Sequence, residues 1–436
     1  MADAGTAKDR IDRPAKKAGR MLRPARRFYE GAGGSHLVIE LTPHCKANDA
    51  GRLRSASFAG AVPKGEQMHA NPSRTVHSGP RHGACCFIAP PNLLAQLAEE
   101  GTPEQRQAAI QALATSAAFR SRRSIVTTLV QQPDVDIRSL GFLAPPTGER
   151  RTVYDVEHHG MSVLPGRKVR GEGDPPSDDI GVNEAYDGAD KVYDFYKEVL
   201  DRDSVDDKGL ELVSSVHYGV KYDNAFWNGG QMVYGDGSGQ LFIDGGMTKA
   251  LDVIGHEMTH GVTQFTAGLE YRSQPGALNE SMSDVFGSLV KQYSLGQSAD
   301  QADWLIGEGI LVGSLGTALR SMKEPGTAFE GDNQPAHMDD YLDLPDDNDP
   351  RHDNGGVHIN SGITNRAFYL AAVAIGGNAW EKAGRIWYAT LTGGHLKPDA
   401  DFRQAAEATL EVAGELFSDG TEREAVQSAW QEVGVL

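Results

Sequence analysis

Cysteine is scarce in this 436-residue chain: the three residues are Cys45, Cys85 and Cys86, all near the N-terminus. An odd count with two adjacent members is no disulfide framework, so everything after residue 86 must hold together by packing. Long apolar runs are missing as well. No segment approaches the ~18 apolar residues of a membrane span, and the N-terminus lacks the roughly 7–15-residue apolar run of a secretory signal. These absences lead to an expectation of cytoplasmic synthesis and location, with export independent of a signal peptide as the alternative. Positive charge runs short beyond residue 81. The net charge is −18, yet residues 1–81 hold about 15 Lys/Arg against about 7 Asp/Glu, which leaves the rest near −26. An acidic body excludes a nucleic-acid or anionic-membrane surface. The basic leader has neither aromatic interleaving nor helical periodicity, so it is expected to be a disordered Arg-rich segment with no assigned function. An over-extended start ahead of Met68 is the other plain explanation.

The remaining length allows two or three domains. Four zones are expected: a leader over 1–82, a compact unit and linker over 83–150, a strand-rich lobe over 151–262 and a helical lobe over 263–436. In the second zone Pro90-Pro91 punctuates the chain before Asn92-Leu93-Leu94. A helix then starts with Thr102 as N-cap, Pro103 as first residue and Gln105 as capping-box partner. Its apolar positions are read as Ala108, Ile110, Leu113 and Ala117. The linker from Ala144 to Arg151 is rich in Pro, Gly and Arg, as protease-accessible linkers are. In the third zone, Val153 to Val169 and Leu212 to Tyr222 alternate as half-buried strands do, and Asn183 to Leu200 has helical spacing through Tyr186, Val192, Phe195 and Val199. Helices are expected over 280–294, 363–376, 380–391, 400–415 and 420–433. The fold class is therefore α+β.

What the chain does have is His256-Glu257-Met258-Thr259-His260. On a helix, positions i and i+4 share one face, so both imidazoles can grip one metal ion, and Glu257 lies where it can take a proton from a metal-activated water. The bland alternative is a polar helix face with two solvated histidines. Zinc in a hydrolase takes three protein ligands and keeps one position open. Glu280 and Asp284, which share a face at the start of the next helix, supply a third ligand at 280 and, at 284, an acceptor for the other N–H of His256. Asn279 is counted with Asp284 as a supporting group.

With these motifs the chain resembles the thermolysin family of zinc peptidases over about 152–436. The family's glutamate ligand follows the second histidine by the interval that separates Glu280 from His260. The resemblance continues at Asn224-Ala225-Phe226-Trp227, which matches the edge strand that pairs with substrate backbone. Tyr271 matches the active-site tyrosine, Arg320 the arginine that binds a substrate carbonyl (a structural ion-pair arginine is the alternative), and Asp353 to Gly362 the segment holding the catalytic histidine, here His358. It implies a thermolysin-like fold, a strand-rich N-terminal lobe and a mainly helical C-terminal lobe with the zinc helix at the cleft. It also implies an endopeptidase in which Glu257 is the base, His358 and Tyr271 hold the oxyanion and Asp353 orients His358. Phe242, Val253, Ile306 and Leu319 would line the pocket for a bulky apolar residue after the cut.

Calcium is where the match weakens. Asp252, Asp303 and Glu308 match a double calcium site, but Lys291 and Leu305 replace two of its acidic members and Thr317 removes an aspartate from another calcium loop. At most one calcium site is left, and an ammonium at Lys291 could pair with Asp252 or Glu308 in its place. The Phe87–Leu94 segment resembles the short propeptide of protealysin-like members, which makes about 84–150 an inhibitory prosegment cut near Arg150-Arg151, or else a permanent regulatory domain. Cys85 or Cys86 could act as a thiolate latch on the metal. The expected partners are protein or peptide substrates, the chain's own propeptide and a proteinaceous inhibitor. Two other classes compete: a catalytically silent relative that binds peptides or an inhibitor, and a hydrolase of this motif with a non-peptide substrate.

Overall fold

The computed structural model describes residues 86–130, 148 and 150–436. The leader (1–82), Cys45, Cys85 and residues 144–147 and 149 of the linker fall outside them. So does the side chain of Cys86, and with it the thiolate latch.

The described chain opens with strand β1 (Cys86–Phe87), then helices α1 (Pro91–Glu100) and α2 (Pro103–Val130). Pro90-Pro91 punctuates by starting a helix rather than a loop: Pro91 is the first residue of α1, where its missing N–H costs nothing. Leu93, Leu94 and Leu97 bury the inner face of α1. The capping box of α2 is present, with the Thr102 N–H donating to Gln105 Oε1 (2.9 Å) and the Gln105 N–H to Thr102 Oγ1 (3.3 Å). Its buried stripe agrees with the expected one only in part: Ala108 and Leu113 are half-buried against the core, but Ile110 and Ala117 are not. Ala109, Ala112, Ser116 and Phe119 point inward, while Ile110 is 57 % exposed. Small residues at helical spacing let α2 lie close to the lobe beneath it, and the larger Ile110 faces out.

The N-terminal lobe holds β2 (Arg151–Asp155), β3 (Arg167–Arg170), helix α3 (Ile180–Leu200), β4 (Leu212–Val216), β5 (Ala225–Trp227) and β6 (Met232–Tyr234). With β1 these strands make one six-stranded sheet in the order β1-β5-β6-β4-β2-β3. The alternation read over 153–169 resolves into two short strands around a 3-10 turn at Met161–Val163. Strand β4 is buried along its whole length rather than on one face, because it runs parallel between β2 and β6 in the middle of the sheet. Helix α3 is capped by Asp179, whose carboxylate accepts from the Val182 N–H, and buries Tyr186, Val192, Phe195 and Val199.

The chain then turns helical: α4 (Gly246–Lys249), α5 (Leu251–Phe265), α6 (Ser273–Leu295), a two-strand ribbon of β7 (Leu305–Ile306) and β8 (Arg320–Ser321), and α7 (Asp353–Ile375), α8 (Ala383–Thr392), α9 (Phe402–Leu416) and α10 (Thr421–Glu432). The fold is mixed α+β, with a strand-rich N-terminal lobe and a mainly helical C-terminal lobe. Helix α5 is buried from Asp252 to Thr263 and α6 from Gly276 to Val290, so the two form the centre of the molecule. Glycine brings them together. A Cβ on Gly287 would collide with the Asp252 carbonyl oxygen, and one on Gly255 would sit 3.0 Å from the Gly287 Cα. Among the described residues no helix is long and apolar enough to cross a membrane.

Candidate metal centre and cleft

The close contact of α5 and α6 decides where the polar side chains meet. His256 and His260 lie one turn apart on α5, with Nε2 atoms 3.0 Å from each other. Glu280 on α6 completes a triangle, its Oε2 3.4 Å from His256 Nε2 and its Oε1 3.4 Å from His260 Nε2. All three ligand atoms fall within 4.8 Å of one another in a fully buried site, the one such group among the described residues. The far side of each ring is held. His256 Nδ1 meets Asp284 Oδ1 at 2.7 Å, and His260 Nδ1 meets Asn279 Oδ1 at 2.9 Å and Ser283 Oγ at 3.0 Å. With Nδ1 committed outward, each Nε2 lone pair faces the shared space, as metal-binding imidazoles require. Ser283 was not singled out from the sequence; its signal is its place one turn after Glu280 on the same helix face.

The donor chemistry fits zinc. Two imidazole nitrogens and one carboxylate are the ligand set of a hydrolytic zinc site, and Glu280 Oε2 is buried without a hydrogen-bond partner. Burial pushes His260 down to about 3, which keeps it neutral as a ligand must be. His256 goes the other way, up to about 9, because Asp284 and Glu280 outweigh its burial. A cation among the three donors displaces that proton.

Glu257 points to the sheet side of α5. Its Oε2 accepts from the Trp227 N–H of β5 at 2.9 Å, and its Oε1 is buried without a partner. Burial pushes its carboxyl up to about 8 against the pull of His256, a range suited to taking and returning a proton near neutrality. His358 enters from α7. The chain reaches it through four consecutive left-handed residues, Asp353 to Gly356, with φ of 50°, 51°, 81° and 80°. This turn brings Asp353 back onto the ring that follows it: Oδ1 lies 2.6 Å from His358 Nδ1, while Oδ2 accepts from the His358 N–H at 2.6 Å. Burial works against a charge on His358, but Glu280 and Asp353 outweigh it and raise the ring's pKa. Tyr271 donates to Glu280 Oε1 and lies 3.2 Å from His358 Nε2.

Arg320 on β8 does two jobs that the sequence left as alternatives. Its Nε and Nη2 donate to the two Asp284 oxygens at 2.7 Å each, and its Nη1 reaches the Ile88 carbonyl at 3.4 Å. Asn365, unmarked in the sequence, also donates to Asp284 Oδ2 at 2.8 Å. Burial alone would raise Asp284; Arg320 and His256 hold it down near 2 instead. The expected pocket residues Phe242, Val253, Ile306 and Leu319 are all fully buried.

The cleft is filled by the chain's own N-terminal unit. Strand β1 adds to the edge of β5 in antiparallel register, with Cys86 opposite Trp227 and Phe87 opposite Phe226. The Ile88 N–H donates to the Ala225 carbonyl (3.1 Å) and the Ala89 N–H to Asn224 Oδ1 (3.0 Å). The Phe87 carbonyl lies 3.0 Å from His358 Nε2. Phe119 of α2 closes over the edge strand, its ring 4.4 Å from that of Phe226.

The three residues matched to calcium lie apart from this centre. Lys291 Nζ sits among them, 2.8 Å from Asp303, 3.4 Å from Asp252 and 3.9 Å from Glu308, and donates to the Leu305 carbonyl at 3.4 Å.

Family models for the thermolysin metallopeptidase catalytic domain and its alpha-helical domain match residues 151–264 and 267–435. The chain is 47 % identical over 357 residues to "Extracellular metalloprotease" of Pectobacterium carotovorum subsp. carotovorum, covering 80 % of this chain and 96 % of that protein. It is 50 % identical over 291 residues to "Protease PrtS" of Photorhabdus sp. (strain Az29), covering 65 % and 76 %. Among solved structures it is similar to the precursor of protealysin, a metalloproteinase from Serratia proteamaculans, with a TM-score of 0.69 and 46 % identity over 80 % of this chain and all of that one. The expectation of a cytoplasmic location does not stand: a relative matched over nearly its whole length is extracellular by name.

Proposed function

The chain belongs to the thermolysin family of metallopeptidases and is a zinc-dependent neutral endopeptidase with a propeptide; from that premise we propose what each residue of the cleft does. His256, His260 and Glu280 hold the zinc. When bound, zinc supplies Lewis acidity, which polarises the scissile carbonyl and makes a water acidic enough to lose a proton near neutrality. Glu257 takes that proton and returns it to the leaving nitrogen. His358 and Tyr271 donate to the oxygen on which negative charge develops, and Asp353 fixes the ring of His358 for that task. Asn224 and Ala225 bind substrate backbone along the edge of β5, and Arg320 binds the carbonyl after the cut. Asp284 and Asn279 hold the ligand rings and Asp284 also anchors Arg320.

The observation that carries this reading is the convergence of three buried ligand atoms beside a strand that already lies in the cleft. The fully apolar set Phe242, Val253, Ile306 and Leu319 supports cleavage on the N-terminal side of bulky hydrophobic residues. Residues of about 84–150 act as the prosegment, with final release near Arg150-Arg151. We place the enzyme's action outside the cytoplasm, following its extracellular relative. At the matched calcium positions Lys291 supplies the positive charge. A silent peptide-binding relative is disfavoured because Glu257, Tyr271 and His358 are all in place. The test is Glu257→Gln: zinc content by metal analysis stays at one ion per chain, while digestion of a denatured protein stops. Full turnover by that variant would refute the role given to Glu257.

A further inference from the structure

We propose that the precursor's first cut falls between Phe87 and Ile88, made by its own active centre on its own prosegment. The proposal rests on the endopeptidase reading and adds to it a processing site some sixty residues upstream of the linker.

A blocking segment can fill a cleft in either direction and in any register. This one lies as a substrate would. Four backbone contacts in a row fix its polarity: Phe87 carbonyl to His358 Nε2, Ile88 N–H to the Ala225 carbonyl, Ile88 carbonyl to Arg320, and Ala89 N–H to Asn224. The carbonyl that meets His358 belongs to Phe87. His358 Nε2 is also 3.5 Å from Glu280 Oε2 and 3.2 Å from the Tyr271 hydroxyl, so this peptide bond is the one brought to the reacting centre. Proline, which would deny the edge strand its donor, is absent from 87, 88 and 89 and enters only at Pro90 and Pro91. There the chain leaves the cleft and starts α1.

In the cut, water adds to the Phe87 carbonyl carbon and the bond from that carbon to the Ile88 nitrogen breaks. The water oxygen stays with Phe87 as part of a carboxylate, and both water protons end on Ile88, which leaves as an ammonium. Residues 1–87 are then free. The Ile88 side stays, because Asn224 and Arg320 hold its backbone and α1 and α2 remain covalently joined to the catalytic lobes. The first product is therefore a trimmed precursor whose cleft is still occupied.

The test uses the full precursor purified under a zinc chelator and then given zinc, followed by intact mass and N-terminal sequencing, with digestion of a denatured protein measured in parallel. The expected result is a new N-terminus at Ile88 that precedes any cut between 131 and 151. Its rate should be unchanged on tenfold dilution, as for an intramolecular step. Ile88→Pro removes the N–H that meets Ala225 and should slow this cut about 100-fold, the scale of a reacting group displaced by an ångström. Should that variant misfold, Glu257→Gln precursor gives an independent reading: its Phe87–Ile88 bond, shielded in its own cleft, stays intact when mixed with a trace of active enzyme. A first cut in the linker with residues 86–88 still joined, or a rate proportional to concentration, overturns the proposal while digestion of the denatured protein leaves the endopeptidase standing. If neither self-cleavage nor digestion occurs, both readings fall.

Discussion

Helices α5 and α6 carry two clusters of acidic and basic groups, and they solve the same electrostatic problem in opposite ways. At one, His256, His260 and Glu280 point three donors into a shared space and leave a carboxylate oxygen without a partner. At the other, one turn earlier on α5, the buried Asp252 meets an ammonium the chain itself supplies, Lys291, with Asp303 and Glu308 beside it. The first cluster needs an outside cation to be complete. The second already holds a cation of the chain's own, one ammonium set among three carboxylates. The contrast separates catalytic metal from structural metal: a reaction needs an ion with an open position, whereas stability needs only the charge.

The largest effect to expect follows from the first cluster. Removing zinc, or replacing His256 with Ala, should abolish measurable digestion, and adding calcium should not restore it. His358→Ala keeps the metal and loses one donor to the developing oxyanion, so its kcat should fall by roughly 10²–10³ with zinc content unchanged. If both variants lost zinc together, His358 would be supporting the metal and the division of labour drawn above would be wrong.

Next in size comes the second cluster. Lys291→Met leaves the buried Asp252 carboxylate without its cation, a change that typically costs about 3–5 kcal/mol. A denaturant melt reads it directly. Lys291→Asp should sharpen the contrast: it restores an acidic member and makes stability depend on calcium. The unmodified protein should melt at the same temperature with and without a calcium-selective chelator. A large chelator-induced drop in the unmodified protein would show that Lys291 does not stand in for an ion.

The grouping of His256, His260 and Glu280 was legible in the sequence because its pattern is local. A five-residue motif on one helix places the two histidines, and Glu280 and Asp284 share a face of the next helix, although that helix begins at Ser273 and holds them in its interior rather than in the first turn expected from 280. The supports that come from far away were not: Asn365 on α7 reaches Asp284 across 81 residues, and nothing in its surroundings marks it. Arg320 shows the intermediate case. Its type and position allowed either an ion pair or a carbonyl contact, and only the packed site reveals both at once. Periodicity placed only part of the α2 stripe. Ala108 and Leu113 are half-buried against the core, but Ala109, Ala112, Ser116 and Phe119 carry the inward face and Ile110 is exposed. Burial on a long helix is set by what lies opposite, which sequence periodicity alone cannot supply.

A third site tests the comparison at its smallest scale, because there the internal cation can be switched off. His217 lies between two carboxylates, with Nδ1 2.8 Å from Asp236 and Nε2 2.9 Å from Asp179, the N-cap of α3. The hydrogen bond to Asp236 outweighs partial burial, and with Asp179 it carries the ring up to about 9. Since the folded value lies above the ordinary one of ~6.5, the pairing stabilises the fold fully below about pH 6.5 and is lost as pH rises through about 9. The site is partly exposed, which reduces the contribution to about 1 kcal/mol. His217→Gln should therefore narrow the gap in stability between pH 6 and pH 9.5 by that amount, measured in urea at both values, and leave the Lys291 pair untouched. An unchanged gap would mean that the two carboxylates hold the ring by hydrogen bonding alone, and that Lys291 is the only internal cation of the two whose charge stabilises the fold.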